Sequence, residues 1–175
     1  AILLVAAWLS AAAGAESPAE AGLRLYRSGI GVDGRPVGAV VQGDVAVDGT
    51  MLACASCHRR NGLGASEGGN RALPVTAPAL FGDAAALPPN LLPKRPPYDD
   101  STLATAITEG RAADGRVLDP LMPRYRLSAG DLASLTAYLR TLGAGPAPGV
   151  GTDEIELATI VADSAPVRER DAVAA

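Results

Sequence analysis

The sequence predicts an all-α fold of short helices joined by long loops, and three observations predict it. Apolar residues recur at helical spacing in three stretches, at 18–28, 101–109 and 128–142. The segments between them are rich in Pro and Gly, and only one, near 37–47, has the pattern of a small β-hairpin. Aromatic residues are scarce, with one Phe, one Trp and four Tyr in 175 residues. A compact core of this size therefore needs apolar filling from outside the chain.

In chain order, residues 1–15, AILLVAAWLSAAAGA, are apolar, uncharged and end in the A-x-A pattern Ala13-Gly14-Ala15. They resemble a secretory signal peptide that lacks its charged start. The run is shorter than the roughly 20 residues of a membrane-spanning helix, although an uncleaved anchor stays open as the alternative. Export, to the periplasm or otherwise out of the cytoplasm, is the expectation, with a mature chain starting near Glu16.

Pro18 suits the first turn of a helix over 18–28, with Leu23 and Tyr26 on its apolar side and Arg24 and Arg27 in water. Gly22 sits inside it at a cost of up to about 1 kcal/mol relative to Ala, either tolerated or placed for close approach of another element. Val37, Val40 and Val41, then Gly43-Asp44, then Val45 and Val47 predict the hairpin. Residues 61–70, NGLGASEGGN, read as a loop; no strand precedes them and the glycine spacing is wrong for a nucleotide-binding fingerprint. Pro74, Pro78, Pro88, Pro89, Pro93, Pro96 and Pro97 exclude long helices over 72–98 and predict a loop wrapped over something it encloses. Its Leu80, Phe81, Leu87, Leu91 and Leu92 suit an apolar pocket or an ordinary core. Asp100 or Ser101 can cap the helix that Gly110 ends, and Ser128 with Asp131 opens the last one, which Gly143 closes. Residues 144–152 read as a Gly/Pro linker, and 154–161 as a strand.

The formal charge of −4 is unevenly placed. Residues 16–144 hold thirteen acidic and thirteen basic side chains, so all of the net charge lies beyond them. There is no basic stripe for nucleic acid, and Lys94 is the one lysine, so there is no lysine-rich docking face.

The chemistry is concentrated in Cys54-Ala55-Ser56-Cys57-His58, which spells C-x-x-C-H, the attachment pattern for a c-type haem. On a helix, residues three and four apart share a face. Cys54 and Cys57 can therefore reach the two vinyl groups on one haem edge, and His58 can swing beneath the ring to the iron. Beside a chance occurrence of the pattern, two other readings compete. A C-x-x-C pair can be a redox dithiol, against which the following His and the missing βαβ context argue. It can be half of a zinc site, but two Cys and one His fall short of four ligands. Arg59 and Arg60 could pair with haem propionates or lie in water. For the sixth iron position there is no second His. Met51 is tied to the proximal side by its closeness to Cys54, which leaves Met122, bracketed by Pro120 and Pro123; Lys94, Tyr98 or an empty site are the alternatives. Met/His ligation raises the reduction potential and leaves iron no open position.

These residues resemble a class I cytochrome c domain over about 19–143, within an expected domain of 16–143: Cys54, Cys57, His58, the LMPRY segment with Met122, and the terminal helices, where Gly22 and Tyr26 match Leu135 and Tyr138 as a helix–helix crossing. The resemblance implies a helical fold around one covalent haem c with its iron. It also implies that a proline carbonyl, matched here by Pro78, accepts the proximal His ring N–H. The stretch before the motif and the Pro-rich loop are longer than the family's pattern. CASCHRRNGLGASEGG and RVLDPLMPRY further resemble bacterial cytochromes c fused to a periplasmic ABC-transporter-type substrate-binding domain. On that likeness, 153–175 would be the start of a second, α/β ligand-binding-like domain, or otherwise a disordered tail. The expected function is an exported monohaem carrier of single electrons between donor and acceptor proteins, not an enzyme. A redox or sensory module on a solute receptor, and an open-site haem enzyme, are the alternatives.

Overall fold

In a computed structural model of the chain, the described residues are 15–82, 93–145, 149–151 and 153–157. The chain divides into two units, Ala1–Ala144 and Gly145–Ala175. Five helices and five short strands are described in the first: α1 (Pro18–Ser28), β1 (Gly38–Val41), β2 (Val45–Asp48), α2 (Cys54–His58), β3 (Ala65–Glu67), β4 (Asn70–Ala72), α3 (Ala77–Phe81), α4 (Asp100–Thr108), β5 (Arg124–Arg126) and α5 (Ala129–Leu139).

The two terminal helices begin in the same way. The Ser17 hydroxyl accepts the Glu20 N–H at 3.3 Å while the Glu20 carboxylate accepts the Ser17 N–H at 2.8 Å. Ser128 and Asp131 repeat this exchange at 3.1 and 3.0 Å. Each box satisfies donors that a helix start leaves without partners. Asp131 does more: it also accepts the Val32 N–H at 2.8 Å, tying the loop after α1 to the start of α5. Burial works to raise the pKa of this carboxyl, but the bonds from Ser128 and Val32 prevail and hold it below the usual range.

α1 and α5 cross at Gly22. A Cβ there would lie 2.0 Å from the Ser134 carbonyl oxygen and 2.8 Å from the Tyr138 Cβ. The glycine therefore serves close approach, and the expected crossing is present. The Tyr26 and Tyr138 rings meet beside it with centroids 5.3 Å apart. Leu25, Leu103, Ile107, Leu135 and Leu139 complete the core around them.

The hairpin expected near 37–47 is β1–β2, paired antiparallel with Val40 opposite Ala46. It gains a third strand, since β5 pairs with the other edge of β1 and sets Tyr125 opposite Ala39. A second hairpin, β3–β4, lies where the sequence reads as plain loop. The fold is thus mixed, five helices with small antiparallel strands, and not clearly all-α. Strands of three residues are too short to show alternation, and β5 in addition pairs with a strand distant in sequence. Within the Pro-rich loop, α3 forms because Pro78 occupies its first turn, where the missing N–H removes no helical bond. α4 is capped by Asp99, one residue before the expected cap.

The apolar residues 1–14, Leu87, Leu91 and Leu92, and the expected strand beyond 157 lie outside the described residues. No helix among the described residues is long and apolar enough to cross a membrane. In the second unit, Val150 bridges Ile155, and the Glu156 N–H donates to the Gly149 carbonyl at 2.7 Å.

Candidate cofactor site

α2 consists of the five residues Cys54-Ala55-Ser56-Cys57-His58. No side chain caps its start at Ala53, and it ends on Arg59 at φ +64, a left-handed value for a residue with a Cβ. A helix this short is marginal by itself. Two tyrosines hold its flanks: the Tyr125 hydroxyl donates to the Leu52 carbonyl, and the Tyr26 hydroxyl donates to the Arg59 carbonyl at 2.7 Å. Both phenols are buried, and burial raises their pKa, so they remain protonated donors.

Cys54, Cys57 and His58 open onto a cavity of about 450 Å³. Leu80, Leu103, Ile107 and Leu135, from α3, α4 and α5, form apolar walls. Cys54 is half-buried and Cys57 exposed, and neither is in a disulfide. Burial pushes the Cys54 thiol up to about 11. This opposes the redox-dithiol reading, which needs an accessible thiolate at neutral pH. Zinc fares no better, because no group of three or more His, Cys, Asp or Glu among the described residues could hold a metal ion.

The His58 Nδ1–H donates to the Leu73 carbonyl at 2.8 Å. That bond fixes the tautomer, since a carbonyl only accepts, and leaves the Nε2 lone pair free. Burial lowers the His58 pKa, which favours the neutral ring a metal ligand must have. The acceptor expected at Pro78 is therefore corrected to Leu73. Pro78 lies exposed in the first turn of α3, where its carbonyl accepts the Gly82 N–H at 3.1 Å as part of the helix. Leu73 directly follows β4, so the β3–β4 hairpin delivers its carbonyl to the ring.

Met122 lines the same cavity and is half-buried. Met51, 68% exposed, does not line it, and neither does Lys94. Tyr98 does. Of the sequence candidates, then, Cys54, Cys57, His58 and Met122 meet in one cavity. Arg59 and Arg60 do not line the cavity. Arg59 pairs with Glu67 at 3.3 Å and Arg60 is exposed, whereas Arg71, Arg95 and Arg116 border the cavity. Arg95 lies 4.0 Å over the Tyr98 ring and is held by the Ala79 carbonyl at 2.7 Å. Sequence reading missed Leu73 and Arg95, and it missed Tyr26 and Tyr125 as supports of α2; the only signal of Tyr125 was its place three residues after Met122 in an extended, Pro-flanked segment.

A haem suits this donor set. Two thiols and an imidazole with a free Nε2 share one short helix, a thioether borders the same space, and the walls are apolar. Compared with known families, residues 49–143, more than half of the chain, match the family model for cytochrome c. No curated protein and no solved structure matches.

Proposed function

This chain belongs to the cytochrome c family, and we propose that Cys54, Cys57, His58 and Met122 are the residues that make it an exported, His/Met-ligated carrier of single electrons. The family membership brings one covalent haem c with its iron, and with it a haem-binding electron-carrier domain. Cys54 and Cys57 hold the ring through thioethers, His58 offers Nε2 to iron, and Met122 offers its sulfur. When bound, the haem supplies one-electron redox chemistry. The chain supplies the rest: the Leu73 carbonyl orients the imidazole, apolar walls from α3, α4 and α5 exclude water, and Arg95 and Arg116 supply positive charge at the rim. Were His58 and Met122 both to hold the iron, no position would be left there for substrate. The observation that carries this reading is the convergence of all four residues on one apolar cavity.

The test is the visible spectrum of the exported protein in both oxidation states. Haem that stays on the chain in denaturant, with a Met-to-iron charge-transfer band in the oxidised form, is the expected result. Met122→Ala removes that band; a spectrum and potential unchanged by M122A overturn the ligand assignment.

Domain bounds of 16–143 for the haem domain, after a signal at 1–15 and before a linker at 144–152, belong to the same proposal. So does export to the periplasm, which the apolar start supports. Donor and acceptor proteins meet the exposed Cys57 edge by shape more than by charge, because residues 16–144 are electrically balanced. The acidic stretch after 150 supports a second reading, a haem module attached to a solute-binding receptor. Sequencing the coding frame past residue 175 tests it: a binding domain there sustains the reading, and a stop codon removes it.

A further inference from the structure

Met122 sits in a loop with few bonds of its own. Pro120 and Pro123 have no N–H to donate, and within the loop only the Met122 N–H to the Asp119 carbonyl, at 3.0 Å, and the Leu121 N–H to the Asp119 carboxylate, at 2.9 Å, close it. The rest of its order is supplied from outside. The Gln42 N–H, at the end of β1, donates to the Pro120 carbonyl at 2.9 Å, and the Leu118 N–H donates to the Gly110 carbonyl at 2.8 Å. Arg124, two residues after Met122 on β5, supplies the largest share. Its Nη1 donates to the Met122 carbonyl at 2.5 Å, and its Nη2 donates to the Leu118 carbonyl at 2.8 Å and the Asp119 carbonyl at 3.3 Å.

We infer that Arg124 is a positioning residue that clamps the Met122 loop and so holds the thioether at the iron. This deepens the proposed function and rests on its assignment of Met122 as ligand. The guanidinium makes no ion pair among the described residues; three carbonyl dipoles meet its charge, with the Asp119 carboxylate at longer range. A half-buried cation spent on backbone is costly unless the backbone needs fixing. The planar fork suits the task, because it reaches both ends of the loop at once, which a lysine ammonium cannot do. Gly110 makes room for it: a Cβ there would lie 1.9 Å from the Arg124 Nε and 2.0 Å from its Cζ. Gly110 also has φ +72, so the turn after α4 and the guanidinium's seat depend on the same glycine.

The experiment compares wild type, Met122→Ala, Arg124→Gln and Arg124→Lys as full-length haem-loaded proteins. The Met-to-iron charge-transfer band, carbon monoxide binding to the reduced form, and the urea midpoint are read for each. M122A loses the band entirely and binds carbon monoxide, which tests the ligand reading by itself. R124Q is expected to lose at least half of the band and to bind carbon monoxide where wild type does not, and R124K, with charge but no fork, to fall between. A lowered urea midpoint in R124Q with a wild-type band and no carbon monoxide binding makes Arg124 merely structural and overturns the clamp. Should R124Q load no haem, R124K decides: an undiminished band in it overturns the clamp as well. A band that M122A leaves unchanged overturns the ligand reading instead, so the two failures are distinguishable.

Discussion

At the scale of single residues, the site depends on polar atoms that do no redox chemistry. The Tyr26 and Tyr125 hydroxyls bond the Arg59 and Leu52 carbonyls on either side of a five-residue helix. Replacing either by Phe leaves a carbonyl without its donor, at a cost of about 1–3 kcal/mol. Urea unfolding of the holoprotein should register that loss in each variant, with the Met-to-iron band retained. Asp131 gives a prediction in pH. Its carboxyl is held below the usual aspartate range in the folded protein. The unfolded state therefore takes up the proton first, so the ionised form adds stability that is complete above about pH 4 and is lost as pH falls through the depressed folded value. Asp131→Asn should cost about 1–2 kcal/mol near neutral pH, where charge-assisted bonds to Ser128 and Val32 are at stake. The gap between wild type and D131N should narrow in a series of urea titrations as pH falls through the depressed folded pKa; a gap independent of pH would contradict the charged role.

At the scale of elements, the crossing of α1 and α5 leaves no room for a side chain at Gly22. A methyl at Gly22 meets the Ser134 backbone carbonyl at 2.0 Å, and backbone cannot swing aside as a side-chain end can. Overpacking of cores typically costs about 1–3 kcal/mol, and an immovable neighbour puts Gly22→Ala at the top of that range or above. The denaturant midpoint checks this, and a variant as stable as wild type would mean the helices can slide. The small strands act on the cofactor through their ends. β4 carries Leu73 to the His58 ring, and β5 carries Arg124 and Tyr125 to the Met122 loop and to Leu52. Strands that an all-α expectation omits therefore position the His58 ring and the Met122 loop.

At the scale of the whole molecule, the chain folds around space it cannot fill. The cleft of about 450 Å³ is lined mostly by apolar side chains; water can enter it, but water cannot replace the apolar contact those walls lack. The double variant Cys54→Ala/Cys57→Ala, which cannot attach haem covalently, should therefore lose its cooperative urea transition and its near-ultraviolet circular dichroism when prepared free of haem. A sharp transition at the holoprotein's midpoint would show that the polypeptide core suffices. The scarcity of aromatics and the cavity are thus one fact seen in sequence and in space.

What the sequence determined by itself was local chemistry. C-x-x-C-H needs only helical spacing to put two thiols and an imidazole together, and the capping pair Ser128/Asp131 and the turn at Gly43-Asp44 act within a few residues. Those features were legible because the interacting groups are close along the chain. Gly22 was half legible: its oddity inside a helix was visible, and only its partner, Ser134, shows what it is for. The structure decided whatever depends on residues distant in the chain or on backbone carbonyls that carry no letter. The Leu73 carbonyl rather than that of Pro78 accepts the His58 Nδ1–H because a hairpin of two three-residue strands presents it, while the Pro78 carbonyl belongs to a helix. Arg124 turns back onto Met122 because β5 pairs with β1, about eighty residues upstream. Side-chain identity records what a residue can donate; only tertiary placement sets which main-chain oxygen stands in front of it.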